Sequence, residues 1–213
     1  ASRRLGYLST ELPFVAMVDA DDRIEPNWLE VMMKQMEFGG YSALQSLLAT
    51  TSTDTFWERG WNEYFRESIR ASADTNIIGH PSLYVTSALL EANPDISNDH
   101  EDTQMSMDFE RRNLRQGIGT PVSHRVVPST WFENHAKWLA YGSGYCDLVT
   151  RFPDRKRKIA YHIAVRIPII RGCRPLLRGK IEQPVFCAVM AASIATGYAR
   201  RLRQIRMESP GKR

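Results

Sequence analysis

The sequence predicts an α/β fold in which an open sheet carries acids at its carboxyl edge. Three observations lead there. Phe14-Val15-Ala16-Met17-Val18 is an apolar run too short for a helix and bounded by polar residues, as a buried strand is. Residues 26–36 then take up helical spacing, with Trp28, Met32 and Met36 on one face. Strand-like and helix-like segments continue to about residue 150, an order that builds a sheet flanked by helices.

The apolar run ends in Asp19-Ala20-Asp21-Asp22. Unpaired charge inside a strand is costly, so these acids belong just past the strand, where open α/β sheets bind ligands. Hard carboxylate oxygens suit Mg²⁺ or Mn²⁺, ions that commonly share phosphate oxygens with a substrate. The local alternative is a turn at Asp22 and a helix whose first residue is Pro26. The two readings are compatible.

Taken in order, residues 1–13 are a polar lead-in. The 26–36 helix is stopped by Gly39-Gly40, and its Met stripe reads as core. Residues 41–50 read as a second strand, with helix as the alternative. Residues 51–54 form a loop with a cap, and residues 56–72 form a helix. Its Trp57, Trp61, Tyr64 and Phe65 are either packing or a wall of an acceptor site. Residues 77–85 are a loop entering a strand, and Ser87 begins a short helix to Glu91. After a turn-rich loop to Asp99, a helix runs through Gln116 with Gly117 as its stop. Residues 121–127 alternate as a short strand, and Ser129 caps a helix carrying Trp131, Phe132, Trp138 and Tyr141. No internal repeat is present.

A second acidic cluster, Asn98-Asp99-His100-Glu101-Asp102, stands where the helix to Gln116 begins. Asn98 and Glu101 have capping-box spacing, and acids in a first helical turn are favoured by the helix dipole. The functional reading sends one of these carboxylates into the cleft of Asp19 and Asp21, as general base toward an acceptor hydroxyl.

Composition narrows the class. The 213 residues are 43% hydrophobic and 24% charged, enough for a real core in one or two domains. Cys146, Cys173 and Cys187 are widely spaced, which suggests neither a disulfide framework nor a zinc site, and a reducing compartment. Residues 1–150 hold 12 Lys and Arg against 21 Asp and Glu, whereas residues 151–213 hold 16 against 3. The expected division is therefore a domain at 1–150 and a basic helical tail at 151–213. The tail opens on the dense cationic run 151–158, and its apolar stretch 183–199 is about 17 residues long, at the lower edge for a span. An interfacial helix on an anionic membrane leaflet, at the inner face of the plasma membrane, is one reading; a packing helix with solvated charges is the other. Nucleic acid is not an expected partner, because no recognition motif accompanies the basic residues and the acidic front repels phosphate.

The order of features resembles the family 2 glycosyltransferases: Asp19-Ala20-Asp21 at a strand end, the Pro26-Asn27-Trp28-Leu29 helix, the Gly79 loop entering a strand, and Glu101-Asp102 opening a helix. The likeness covers about residues 5–150. Members are inverting enzymes of the GT-A fold that use nucleotide-diphosphate sugars. The resemblance implies a partial GT-A fold, Rossmann-like with a mixed sheet flanked by helices, followed by the helical, basic C-terminal tail. It implies Asp19 and Asp21 as the metal and diphosphate residues, Asp21 the more direct ligand of Mg²⁺ or Mn²⁺. Asp102 is implied as catalytic base, supported by Glu101, with Gly79 and His80 bordering the acceptor. Asn134-His135-Ala136-Lys137-Trp138 has the spacing of the family's Gln-x-x-Arg-Trp motif, with Asn for Gln and Lys for Arg. The lysine loses bidentate pairing, which counts against processive synthesis. Lys137 and Trp138 are placed on the acceptor side, Trp138 either stacking on a sugar or buried.

The implied partners are a nucleotide-diphosphate sugar donor and a glycan or lipid-linked acceptor, in exopolysaccharide, cell-envelope or lipid-linked glycan synthesis. Because members carry a nucleotide-base-binding strand ahead of the Asp-x-Asp strand, the chain is expected to be the carboxy-terminal part of a longer enzyme. A nucleotidyltransferase is the alternative enzyme, and the Glu101-Asp102 helix speaks against it. A haloacid-type phosphatase would place Thr or Val after Asp-x-Asp, where Asp22 and Arg23 stand. A non-catalytic fragment that binds an anionic surface is the remaining alternative.

Overall fold

The structure, a computed structural model, describes residues 2–69, 76, 79–92 and 101–208. The chain divides into two compact units, Ala1–Thr51 with Phe65–Val127, and Ser52–Tyr64 with Pro128–Arg213.

The first unit is an α/β layer structure, as expected. Its elements are α1 (Ser2–Leu8), β1 (Phe14–Met17), β2 (Asp22–Ile24), α2 (Trp28–Gly39), β3 (Ala43–Thr50), the end of α3 (Phe56–Ser68), β4 (Ser82–Val85), α4 (Thr86–Ala92), α5 (Glu101–Arg111) and β5 (Gln116–Arg125). The strands form one mixed sheet in the order β1-β4-β3-β5-β2. β3 and β5 are parallel, and the other three pairings are antiparallel. It follows that β1, β3 and β5 all point the same way.

Alternation along the strands feeds two cores. Ala43 lies opposite Tyr84 and Leu44 opposite Leu83 in the β3–β4 register. Successive strand residues face opposite sides of a sheet. Ala43 and Tyr84 accordingly pack with Tyr7, Leu89, Met105 and Phe109 from α1, α4 and α5. Leu44 and Leu83 pack on the other side with Trp28, Met32 and Met36 of α2. The Met stripe is thus core. α2 begins at Trp28, not at Pro26, and ends on Gly40 in the left-handed region at φ 60°, with Tyr41 N–H donating to Met36 O.

The sequence expectation fails at the end of α5. The helix stops at Arg111, and Gly117 lies inside β5, opposite Leu44. Asn113 does the stopping, at φ 55°. Its N–H donates to Glu110 O and that of Leu114 to Phe109 O, while Leu114 packs on the Phe109 cluster. This is a Schellman termination with asparagine where glycine is usual. The Asn98 capping box falls outside the described residues.

The second unit is helical. α6 (Trp131–Arg151) is capped by Thr130, not Ser129: the Thr130 side chain accepts from Glu133 N–H and the Glu133 carboxylate accepts from Thr130 N–H. A 3₁₀ turn (Pro153–Arg155), α7 (Lys156–Tyr161), a π-helical stretch (His162–Arg171) and a second 3₁₀ turn (Arg174–Arg178) lead to α8 (Gln183–Glu208). α8 buries Phe186, Cys187, Met190, Ala191, Ile194 and Gly197. Among the described residues no helix is long and apolar enough to cross a membrane.

Candidate active site

The site is built by a crossing of the chain from one sheet edge to the other. β1 and β2 are the two edge strands, four strand spacings apart, or roughly 19 Å in a flat sheet. Asp19 to Asp22 is a tight turn, Asp22 N–H donating to Asp19 O at 3.0 Å. With that turn, the path from Met17 to Asp22 spans at most about 14 Å. The sheet must therefore curl at this end. The acidic loop lies across the carboxyl ends of β1, β3 and β5, the place where open sheets bind ligands.

Asp19, Asp21 and Asp22 each offer an oxygen within 4.8 Å of the others. Their electrostatics are set by a residue the sequence reading missed. Arg125 ends β5 and lies opposite Asp22 in the β2–β5 register. Its Nε and Nη2 donate to the two oxygens of Asp22, both at 2.7 Å, and Nη2 also reaches Asp19 Oδ2 at 3.2 Å and His80 O at 2.7 Å. The Asp22 side chain has no solvent exposure, against 24% for Asp19. Burial of Arg125 disfavours its charge, but the hydrogen bonds it donates to Asp22 and the charges of Asp22, Asp21 and Asp19 outweigh it, so its pKa is raised. Asp21 makes no ion pair or side-chain hydrogen bond among the described residues. The one sequence signal for Arg125 is a basic residue within the alternating run 121–127, which becomes meaningful only once the register is known.

The second acidic cluster meets the first through two loop residues. His80 gives its carbonyl to Arg125. At the preceding Gly79, the position a Cβ would take is 3.4 Å from Asp102 Oδ2 and 3.9 Å from Gln45 Nε2. Asp102 stands in the first turn of α5 beside Glu101, and its Oδ1 accepts from Thr103 N–H at 2.6 Å. Buried hydroxyls fix the floor: Ser46 Oγ donates to Pro81 O and lies 2.8 Å from Ser123 Oγ, joining β3, β5 and the 79–81 loop. Of the expected residues, Asp19 and Asp21 thus lie together, and Asp102, Gly79 and His80 form a connected series with them. Gln45 and Arg125 are additions.

Lys137 and Trp138 belong to the second unit. Trp138 is fully buried, edge-on to Trp57 and Phe186, so its faces are covered by packing. Lys137 Nζ stands 5.6 Å from the centre of the Trp61 ring. Asn134 is wholly used within this unit: Oδ1 accepts from Trp61 Nε1 at 2.6 Å and Nδ2 donates to the Pro128 and Thr130 carbonyls.

The model of the family described as Glycosyl transferase family 2 matches residues 1–89. The match includes Asp19, Asp21, Gly79 and His80; Asp102 and Lys137 lie beyond it. Among solved structures, S. aureus TarS 1–349 is similar at 12% identity, over 97% of this chain and 70% of that one, with a TM-score of 0.43. No curated protein matches the chain.

Proposed function

We propose, from the match of residues 1–89 to the model of glycosyl transferase family 2, that the chain belongs to that family and moves a sugar from a nucleotide-diphosphate donor to an acceptor hydroxyl with inversion. The observation that carries this reading is the joining of two acidic clusters by Gly79 and His80 at the carboxyl edge of the sheet.

The residues fit a divalent cation. Three carboxylates converge, all hard oxygen donors, and Asp21 presents its oxygens without a protein partner among the described residues. That donor set suits Mg²⁺ or Mn²⁺. Asp21 and Asp19 would hold the ion, which when bound neutralises charge on the departing diphosphate. Asp102 takes the proton of the acceptor hydroxyl. Thr103 N–H fixes one of its oxygens and leaves Oδ2 toward Gly79, which has no side chain to stand between that oxygen and the loop. Glu101, the neighbouring acid in the same helical turn, supports it. His80 is buried, 2% exposed with its ring against Tyr84, so it serves this side of the site through the backbone carbonyl that Arg125 holds. The test is a panel of nucleotide-diphosphate sugars offered with Mn²⁺ to the full-length natural protein that contains this chain. One donor class should release nucleoside diphosphate, and chelation should stop it. Mn²⁺ binding without turnover of any donor would overturn the reading.

The acceptor is read as a glycan or lipid-linked chain at the anionic, cytoplasmic face of a membrane, in cell-envelope or exopolysaccharide synthesis. Support comes from a different place than the sequence suggested. The apolar side of 183–199 is used in packing. The turn before it instead exposes Leu177 by 90% and Ile181 by 76%, with Arg174, Arg178 and Lys180 beside them. Exposed aliphatic residues next to cations in sequence suit an anionic lipid surface, although Arg178 and Lys180 both also pair with Glu63. Cosedimentation with phosphatidylglycerol vesicles should fall severalfold in the Leu177→Asp/Ile181→Asp variant, and unchanged sedimentation would remove this surface from the account.

A further inference from the structure

We infer that Arg125 partitions the three acids: it withdraws Asp22 from the set that can hold a cation, leaves Asp21 and Asp19 as the ligand pair, and ties that pair to the Gly79–His80 loop. The inference rests on the reading of this site as one for a divalent cation.

The hydrogen-bond geometry sets the division. Asp22 accepts the guanidinium fork through both oxygens at 2.7 Å, with its side chain sealed from solvent. Bidentate pairing of this kind is among the strongest side-chain contacts and engages both oxygens at once. Nη2 has two hydrogens, yet three acceptors surround it: Asp22 Oδ2 at 2.7 Å, His80 O at 2.7 Å and Asp19 Oδ2 at 3.2 Å. The two short bonds satisfy it, so of its three acceptors Asp19 is the one Arg125 holds most weakly. Asp21 has no competing partner among the described residues.

The charge balance points the same way. Three carboxylates within 4.8 Å repel one another. One buried guanidinium leaves a net of two negative charges, matched to a divalent ion. The bond to His80 O has a second consequence. His80 follows Gly79, which lies against Asp102, so the arginine that positions the cation pair also positions the loop facing the base. Arg125 is thus a positioning residue, and lysine, without the fork, cannot replace it.

The test uses the full chain and Mn²⁺ alone, with free Mn²⁺ followed by electron paramagnetic resonance and folding checked by circular dichroism. Arg125→Gln releases Asp22 and removes a positive charge, so Mn²⁺ should bind about fivefold tighter or more. A merely structural arginine would give weaker binding on removal. Asp22→Asn/Arg125→Gln removes the buried pair together and should stay within about threefold of wild type, whereas Asp21→Asn should weaken binding at least about tenfold. If Arg125→Gln does not fold, the double variant decides. A double variant as weak as Asp21→Asn makes Asp22 a ligand and overturns the partition, as does a folded Arg125→Gln that binds no tighter. A wild-type chain that takes up no Mn²⁺ overturns the cation reading itself and the partition with it.

Discussion

Asp102→Asn is expected to lower sugar transfer by about a thousandfold, within the range for loss of a general base, while Mn²⁺ and donor binding stay near wild type. The substitution keeps the shape of the side chain and removes its ability to take a proton. The Asn Oδ1 can still accept from Thr103 N–H, which Asp102 Oδ1 does at 2.6 Å, so the first turn of α5 keeps its local bond. The other side-chain atom still faces Gly79. Nothing in the Arg125 network touches Asp102 directly, since the link runs through the 79–80 backbone. The binding half of the site should therefore report an intact protein. The measurement is kcat with the donor identified in the panel, set against Mn²⁺ affinity and donor KM. A variant that turns over normally removes Asp102 from the base role. One that loses Mn²⁺ binding as well shows that Asp102 acts on the cation site.

How much of this was legible in the sequence varies with the length over which each signal is written. β1 was readable as a short apolar run bounded by polar residues, β3 as a longer apolar run, and α2 because it carries about three turns of helical spacing, with Gly40 marking its end in the usual way. β2 was not, because three residues hold no period and the strand exists only by pairing with β5. The end of α5 was misplaced because Asn113, not a glycine, takes the left-handed position, and the glycine that looked like a stop is a strand residue facing Leu44. Asp19 and Asp21 stood out as acids following an apolar run. Arg125 did not, because its meaning lies in a register between residues 103 positions apart. The apolar stretch 183–199 shows the opposite limit, with an interfacial helix and a packing helix both open from the sequence. Its apolar residues were visible, but whether they face lipid or α6 depends on the partner surface, which is encoded elsewhere in the chain.

The helix pair of the second unit gives the largest expected effect on stability. A Cβ on Gly142 of α6 would overlap the Ile194 carbonyl oxygen and stand 2.7 Å from the Tyr198 amide nitrogen. A Cβ on Gly197 of α8 would overlap the Leu139 carbonyl oxygen from the other side. The obstructing atoms are backbone, which cannot rotate away, so the helices must separate and the packing of Ile194 and Met190 opens with them. Helix propensity alone favours alanine over glycine by about 1 kcal/mol. Overpacking commonly costs up to about 3 kcal/mol, and rigid backbone puts these sites at the upper end. The clash should win, leaving each Gly→Ala variant about 2 kcal/mol less stable. For a chain of this length that corresponds to a fall in Tm of roughly 4–8 °C. Gly6 of α1 supplies a control of opposite sign, because nothing lies within 4 Å of its Cβ position; Gly6→Ala should be neutral or slightly stabilising. The two crossing sites share one interface, so once the first alanine has parted the helices the second meets less resistance. Gly142→Ala/Gly197→Ala should then cost less than the sum of the single variants. A double variant that is strictly additive would mean that the two clashes relax independently, by local bending of each helix and not by separation of the pair.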